Sequence, residues 1–215
     1  MANNGFERDS PMSRFLHFVA KIAPFNDSQL NPMLDGPCGL GEKMDKLKFM
    51  LDYNCNLLWS ISEATRERFG FNIEDLSTLG LTEKTIQLND FVKDVYAMYL
   101  NPIYQGLPSF WSVEMHLVFR KMLKSLYFKM IKELGAKFEI ENFESEYIIN
   151  SEKIDLEQKK LQSFIEDPIA YYNICGISHG ENVDTEKFEV ISEYNSWKRI
   201  ETKLIEKMHL TTAST

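Results

Sequence analysis

Apolar residues recur at three- and four-residue steps along much of the chain, the mark of helices that bury one face. The broadest stripe runs from Glu42 to Phe69. Met44, Leu47, Leu51, Leu58 and Ile61 form it, and Met50, Tyr53, Leu57 and Trp59 widen it. It predicts a central helix that stops at Gly70. A second stripe, over 110–134, sets Met115, Val118, Phe119, Met122, Leu123, Leu126, Met130 and Leu134 on one side. Arg120, Lys121, Lys124 and Lys132 fall on the other, and Gly135 closes the element. Shorter patterns predict helices over 14–23, over 90–100 capped by Asn89, from Ser151 to about Phe164, and from Asp184 to about His209.

Breakers and alternation fill the gaps. Pro24, Pro32, Pro37, Gly36, Gly39 and Gly41 make 24–41 a loop. Residues 71–88 read as a helical turn at Ile73–Leu76 and a short alternating strand over 85–88. Phe138-Glu139-Ile140-Glu141 alternates with period two and Tyr147-Ile148-Ile149 is β-prone, which predicts a hairpin within 136–150. Asp167-Pro168 breaks the following helix, and 168–182 reads as a loop. The polar residues 1–12 and the stretch 211–215 read as disordered and loose tails. The expected fold is mainly α, an irregular bundle of five or six helices with a small β-hairpin near 136–150, in a single domain over 13–210.

Composition narrows the class. With 44% apolar residues in 215, the chain can build a core, and its three cysteines are too few for a disulfide scaffold. No run reaches the roughly 18 apolar residues of a membrane span. The first ten residues lack a basic segment followed by an apolar one, so the expectation is an intracellular, non-secreted protein without a membrane partner. The net charge of −8 is unevenly distributed: residues 111–135 carry +3, while 136–215 carry −7.

Candidate chemistry is sparse. Gly36-Pro-Cys-Gly-Leu-Gly41 precedes a predicted helix as a phosphate-binding loop would, but Glu42 stands where such a loop needs lysine and no strand pattern leads into it. Cys38 or Cys175 with His179 would supply a thiol nucleophile and its base if the fold brought them together. The same residues with Cys55 lack the paired spacing of a zinc site, so no metal or other cofactor is expected. Carboxylate pairs such as Glu63/Glu67 and Asp90/Asp94 read as solvated helix faces.

Two features point outward. The basic face of the 111–134 helix, Arg120, Lys121, Lys124 and Lys132 with Phe128 among them, suits an acidic protein surface or a nucleic-acid backbone. The competing reading is neutralisation by the chain's own Glu139, Glu141, Glu144 and Glu146. Phe6, Phe25, Phe71, Phe110 and Trp111 fall in expected loops or termini, as partner anchors or as lids over the core. The leading expectation is a non-enzymatic interaction protein: an adaptor, assembly or structural subunit, virion-associated proteins included. Its partners would be other protein subunits, further copies of itself among them. The alternatives are a small thiol-dependent enzyme and a nucleic-acid accessory binder.

Overall fold

The structure is a computed structural model. It describes residues 44–99, 107–143, 149–175 and 182–212, with side chains up to residue 206. The expected tail at 1–12, the helix over 14–23 and the loop over 24–41 lie outside the described residues. Those described are mainly helical with a small three-stranded sheet. In chain order they form β1 (Asp45–Phe49), β2 (Leu58–Ser60), α1 (Glu63–Phe69), a 3-10 turn (Leu76–Leu79), α2 (Glu83–Ala97) and α3 (Val113–Leu134). There follow β3 (Phe138–Asn142), α4 (Ser151–Glu166), α5 (Pro168–Cys175) and α6 (Val183–Thr212). The chain gathers into two compact units. Of the described residues, unit 1 takes those up to Val95, those over 119–143 and those over 210–212, and unit 2 takes those over 96–118 and 149–209.

In unit 1 the expected central helix over 42–69 is instead two strands and a short helix. Leu47 and Phe49 are buried while Lys46 and Lys48 between and beside them stay partly exposed, a period-two pattern masked by the broader apolar stripe. The stripe is broken by the turn Asp52-Tyr53-Asn54-Cys55. There Asn54 takes a left-handed conformation (φ 59°), which asparagine tolerates better than most residues, and the Tyr53 amide donates to Asp52 Oδ1 at 2.7 Å. Chain reversal lets β2 pair antiparallel with β1, Lys48 opposite Trp59. Ser62 then caps α1, and Gly70 ends it as expected.

The strand expected at 138–141 forms, but its partner is distant. β3 runs parallel to β1, with Leu47 opposite Ile140, so the β element is a sheet in the order β2-β1-β3 rather than a local hairpin. α3 lies against this sheet: the Tyr127 ring sits 5.4 Å from Phe49, and its hydroxyl donates to the Ile140 carbonyl at 3.2 Å. Gly135 follows the end of α3, at a position where a Cβ would stand 2.6 Å from the Ile131 carbonyl oxygen.

α2 starts seven residues before the expected Asp90 and absorbs the 85–88 segment read as a strand. Its N-terminus is held by Glu133 of α3, which accepts from the Thr82 amide (2.7 Å), Thr82 Oγ1 (3.0 Å) and Thr85 Oγ1 (2.6 Å). Asn89, expected as the cap, is buried inside the helix. Its amide accepts from the Leu57 amide and donates to Asn56 Oδ1, tying α2 to the start of β2.

Unit 2 is built on aromatic rings. Trp111 stacks on Trp197 of α6 at 6.2 Å and meets His116 edge-on at 5.2 Å. Phe164, Tyr171 and Tyr172 form a second cluster within 5.9 Å of one another. The expected loop at 168–182 is a helix over its first eight residues. Asp167-Pro168 does end α4, but proline is well suited to the first helical position, and Asp167 Oδ1 accepts from the Ala170 amide at 3.0 Å to start α5. α4 is capped by Asn150, one residue before the expected Ser151.

Candidate functional site

The basic face of α3 belongs to unit 1. Its apolar side explains its position: Phe119, Met122, Leu123, Leu126, Met130 and Leu134 are buried, which turns the opposite side outward. Arg120, Lys121, Lys124 and Lys132 are exposed there, with Lys129 exposed on the flank. Phe128 is half-buried among them, and the Lys124 ammonium lies 5.9 Å from the centre of its ring. The side chains thus make a cationic strip about three turns long with an aromatic ring in its middle.

Neutralisation from within the chain does not operate through the nearest described acids. Glu139 and Glu141 both turn to Lys46 of β1, at 3.0 and 3.4 Å. The Lys46 ammonium is held above the usual lysine range by its hydrogen bonds to these two carboxylates. Glu133, on α3 itself, is engaged at the N-terminus of α2. Glu144 and Glu146 lie outside the described residues. Among the described residues no ion pair reaches Arg120, Lys121, Lys124, Lys129 or Lys132.

Phe110 and Trp111 are core residues of unit 2, with 2% and 1% of their surface exposed. They were legible as aromatics without a helix stripe, but their burial makes them lids rather than projecting anchors. Phe71 does project: it is 58% exposed, edge-on to Trp59 at 5.9 Å, with the Arg66 guanidinium 5.0 Å from its ring centre. Phe6 and Phe25 lie outside the described residues.

Of the thiol constellation, Cys38 and His179 also lie outside the described residues. Cys175 is exposed at the end of α5. Its neighbour Tyr171 is pushed up to about 12 by burial, with the hydrogen bond to Cys175 adding to the shift. Cys55 is half-buried in the turn after β1. Among the described residues no three histidines, cysteines or carboxylates gather as a metal site. None of the described helices is long and apolar enough to cross a membrane.

Besides the Glu133 cluster, sequence reasoning missed a buried polar cluster in unit 2. Glu201 of α6, 4% exposed, accepts from the Ser112 amide at 2.8 Å and from Lys198 Nζ at 2.7 Å. It therefore holds the start of α3, where Ser112 also accepts from the Met115 amide at 3.1 Å. His116 lies within this unit's interior. Burial pushes its imidazole down to about 4, against the raising pull of the Glu201 charge. No local pattern marks Glu201, because it reads as one more acid in an acidic helix.

Comparison with family models, with curated proteins and with solved structures returns no match.

Proposed function

We propose that this chain is a non-enzymatic interaction protein, an assembly or structural subunit that holds its protein partner through the basic face of α3. One observation carries the reading: the exposed cations of α3 form no ion pair among the described residues, while the acids nearest in sequence serve Lys46 and the start of α2. A protein rarely leaves such a strip around an aromatic ring for solubility alone, since interspersed opposite charges serve that better. A local patch of carboxylates on a protein can match these few cations, whereas a long polyanion would also run over the rest of a molecule of net charge −8.

The test is native mass spectrometry of the tagged full chain captured from its source, with and without nuclease. The expected result is a complex of defined protein stoichiometry that survives nuclease and dissolves when the strip is reversed by R120E, K121E and K124E together. A complex that nuclease dissolves, or that the triple reversal leaves intact, overturns the reading.

A further inference from the structure

The cations of α3 and the apolar residues among them share one side of the helix. At about 100° per residue, Arg120, Ile131, Lys124, Phe128, Lys121 and Lys132 fall in that angular order within an arc of about 120°. Lys129 stands outside the arc, and the buried Phe119, Met122, Leu126 and Met130 occupy the far side. From Arg120 to Lys132 the arc runs about 18 Å along the axis. It is polarised along that length. Arg120, Lys121 and Lys124 crowd into little more than one turn, and the half-buried Phe128 and Ile131 follow one and two turns later. Unit 1 itself does not oppose an acidic partner. Its described residues carry twelve basic and twelve acidic side chains, so the excess acid behind the net charge of −8 lies elsewhere in the chain.

We propose that the element of the partner protein that seats on this face is an acidic amphipathic α-helix lying along α3. This rests on the reading of α3 as a docking surface and names what docks there. The first argument is the backbone. The interior amides and carbonyls of α3 are spent on its own hydrogen bonds, so it offers no edge to a strand. An extended segment laid along it would bury unpaired backbone groups, whereas a helix arrives with its own bonds made. The second argument is spacing. Lys124 stands three residues from Lys121 and four from Arg120, the steps at which a second helix presents carboxylates along one side. Apolar residues one to two turns further along the partner's same side then cover Phe128, Ile131 and the lysine stems. Salt weakens the acidic end of this contact, where the screening length matters, more than the apolar end.

Carbodiimide coupling of the native complex, which joins a lysine amine to a carboxylate in direct contact, identifies the docked segment by mass spectrometry. Lys121, Lys124 and Lys132 are expected to couple within one partner segment, at carboxylates three, four or seven residues apart. A synthetic peptide of that segment should bind the full chain as a helix by circular dichroism. The same peptide with a proline at its middle, away from the coupled carboxylates, should bind at least about tenfold more weakly. Coupled carboxylates two residues apart, coupling scattered over separate segments, or a proline peptide that binds as tightly as its parent overturns the proposal. The two readings fail separately. Coupling to a segment without helical spacing sinks only the helix. A native complex in which none of the three lysines couples to the partner sinks the docking surface itself.

Discussion

Each unit fastens the start of a helix with a carboxylate borrowed from a distant helix, yet the two carboxylates sit in different surroundings. Glu133 in unit 1 is partly exposed and receives one amide and two hydroxyls, from Thr82 and Thr85. Glu201 in unit 2 is buried and receives one amide and one ammonium, from Ser112 and Lys198. Neutral hydroxyls make the first clamp modest in strength. The buried carboxylate of the second raises the cost of losing it, while its partner Lys198 is partly exposed. The contrast also separates charge that the fold uses from charge that it leaves over. Where a carboxylate closes a helix it is fully engaged, whereas the cations of α3 and the acids at the start of α6 have no described ion-pair partner.

The largest effect should come from breaking the buried clamp. Glu201→Ala removes the acceptor from the Ser112 amide and from Lys198 and is expected to cost roughly 3 kcal/mol, with partial relief because Lys198 can turn to water. Urea unfolding followed by tryptophan fluorescence in a Trp59→Phe background reads unit 2, since Trp111 and Trp197 both belong to it. A loss below about 1 kcal/mol would mean that the clamp is not what holds α3.

Next comes pH, which should act on unit 2. The folded-state value of His116, about 4, lies below its ordinary 6.5 because of burial. The unfolded chain therefore takes up the proton first. This contribution to stability is full above about pH 6.5 and is lost as pH falls towards 4. Its size is at most about 3 kcal/mol, and about 2 kcal/mol once solvent screening is allowed for. His116→Phe should flatten the dependence between pH 6.5 and 4; an unchanged slope assigns it to other groups.

Glu133→Ala should be milder, roughly 1 to 2 kcal/mol, as expected for a lost helix cap with hydroxyl donors. Thermal unfolding with Trp59 as the unit 1 reporter measures it, and a loss equal to that of Glu201→Ala would erase the contrast between the clamps. Smallest of all, the triple reversal of Arg120, Lys121 and Lys124 should change monomer stability by no more than about 0.5 kcal/mol. A larger loss would show that the strip serves the fold after all.

How much of this was legible in the chain follows from the range of the forces involved. α3 and its basic face could be read directly, because Met115 to Leu134 repeat with helical period and nothing remote competes. β1 and β2 could not. Leu47 and Phe49 fit a helical stripe as well as a strand, and the partner that decides between them, Phe138–Asn142, lies about ninety residues later. Asp167-Pro168 was legible as a break but not as a beginning, since the same pair ends α4 and starts α5. Glu201 and Glu133 looked like surface acids, because only the tertiary fold brings amides and hydroxyls to them.

The central claim is that the cationic strip of α3 is a contact surface, and lysine footprinting of the assembled full chain tests it most directly. Reductive methylation, compared between the native complex and the purified chain alone, is expected to show Lys121, Lys124 and Lys132 protected in the complex. The exposed Lys159 and Lys160 of α4 should react equally in both states. Equal reactivity of Lys121 and Lys124 in the two states would contradict the account.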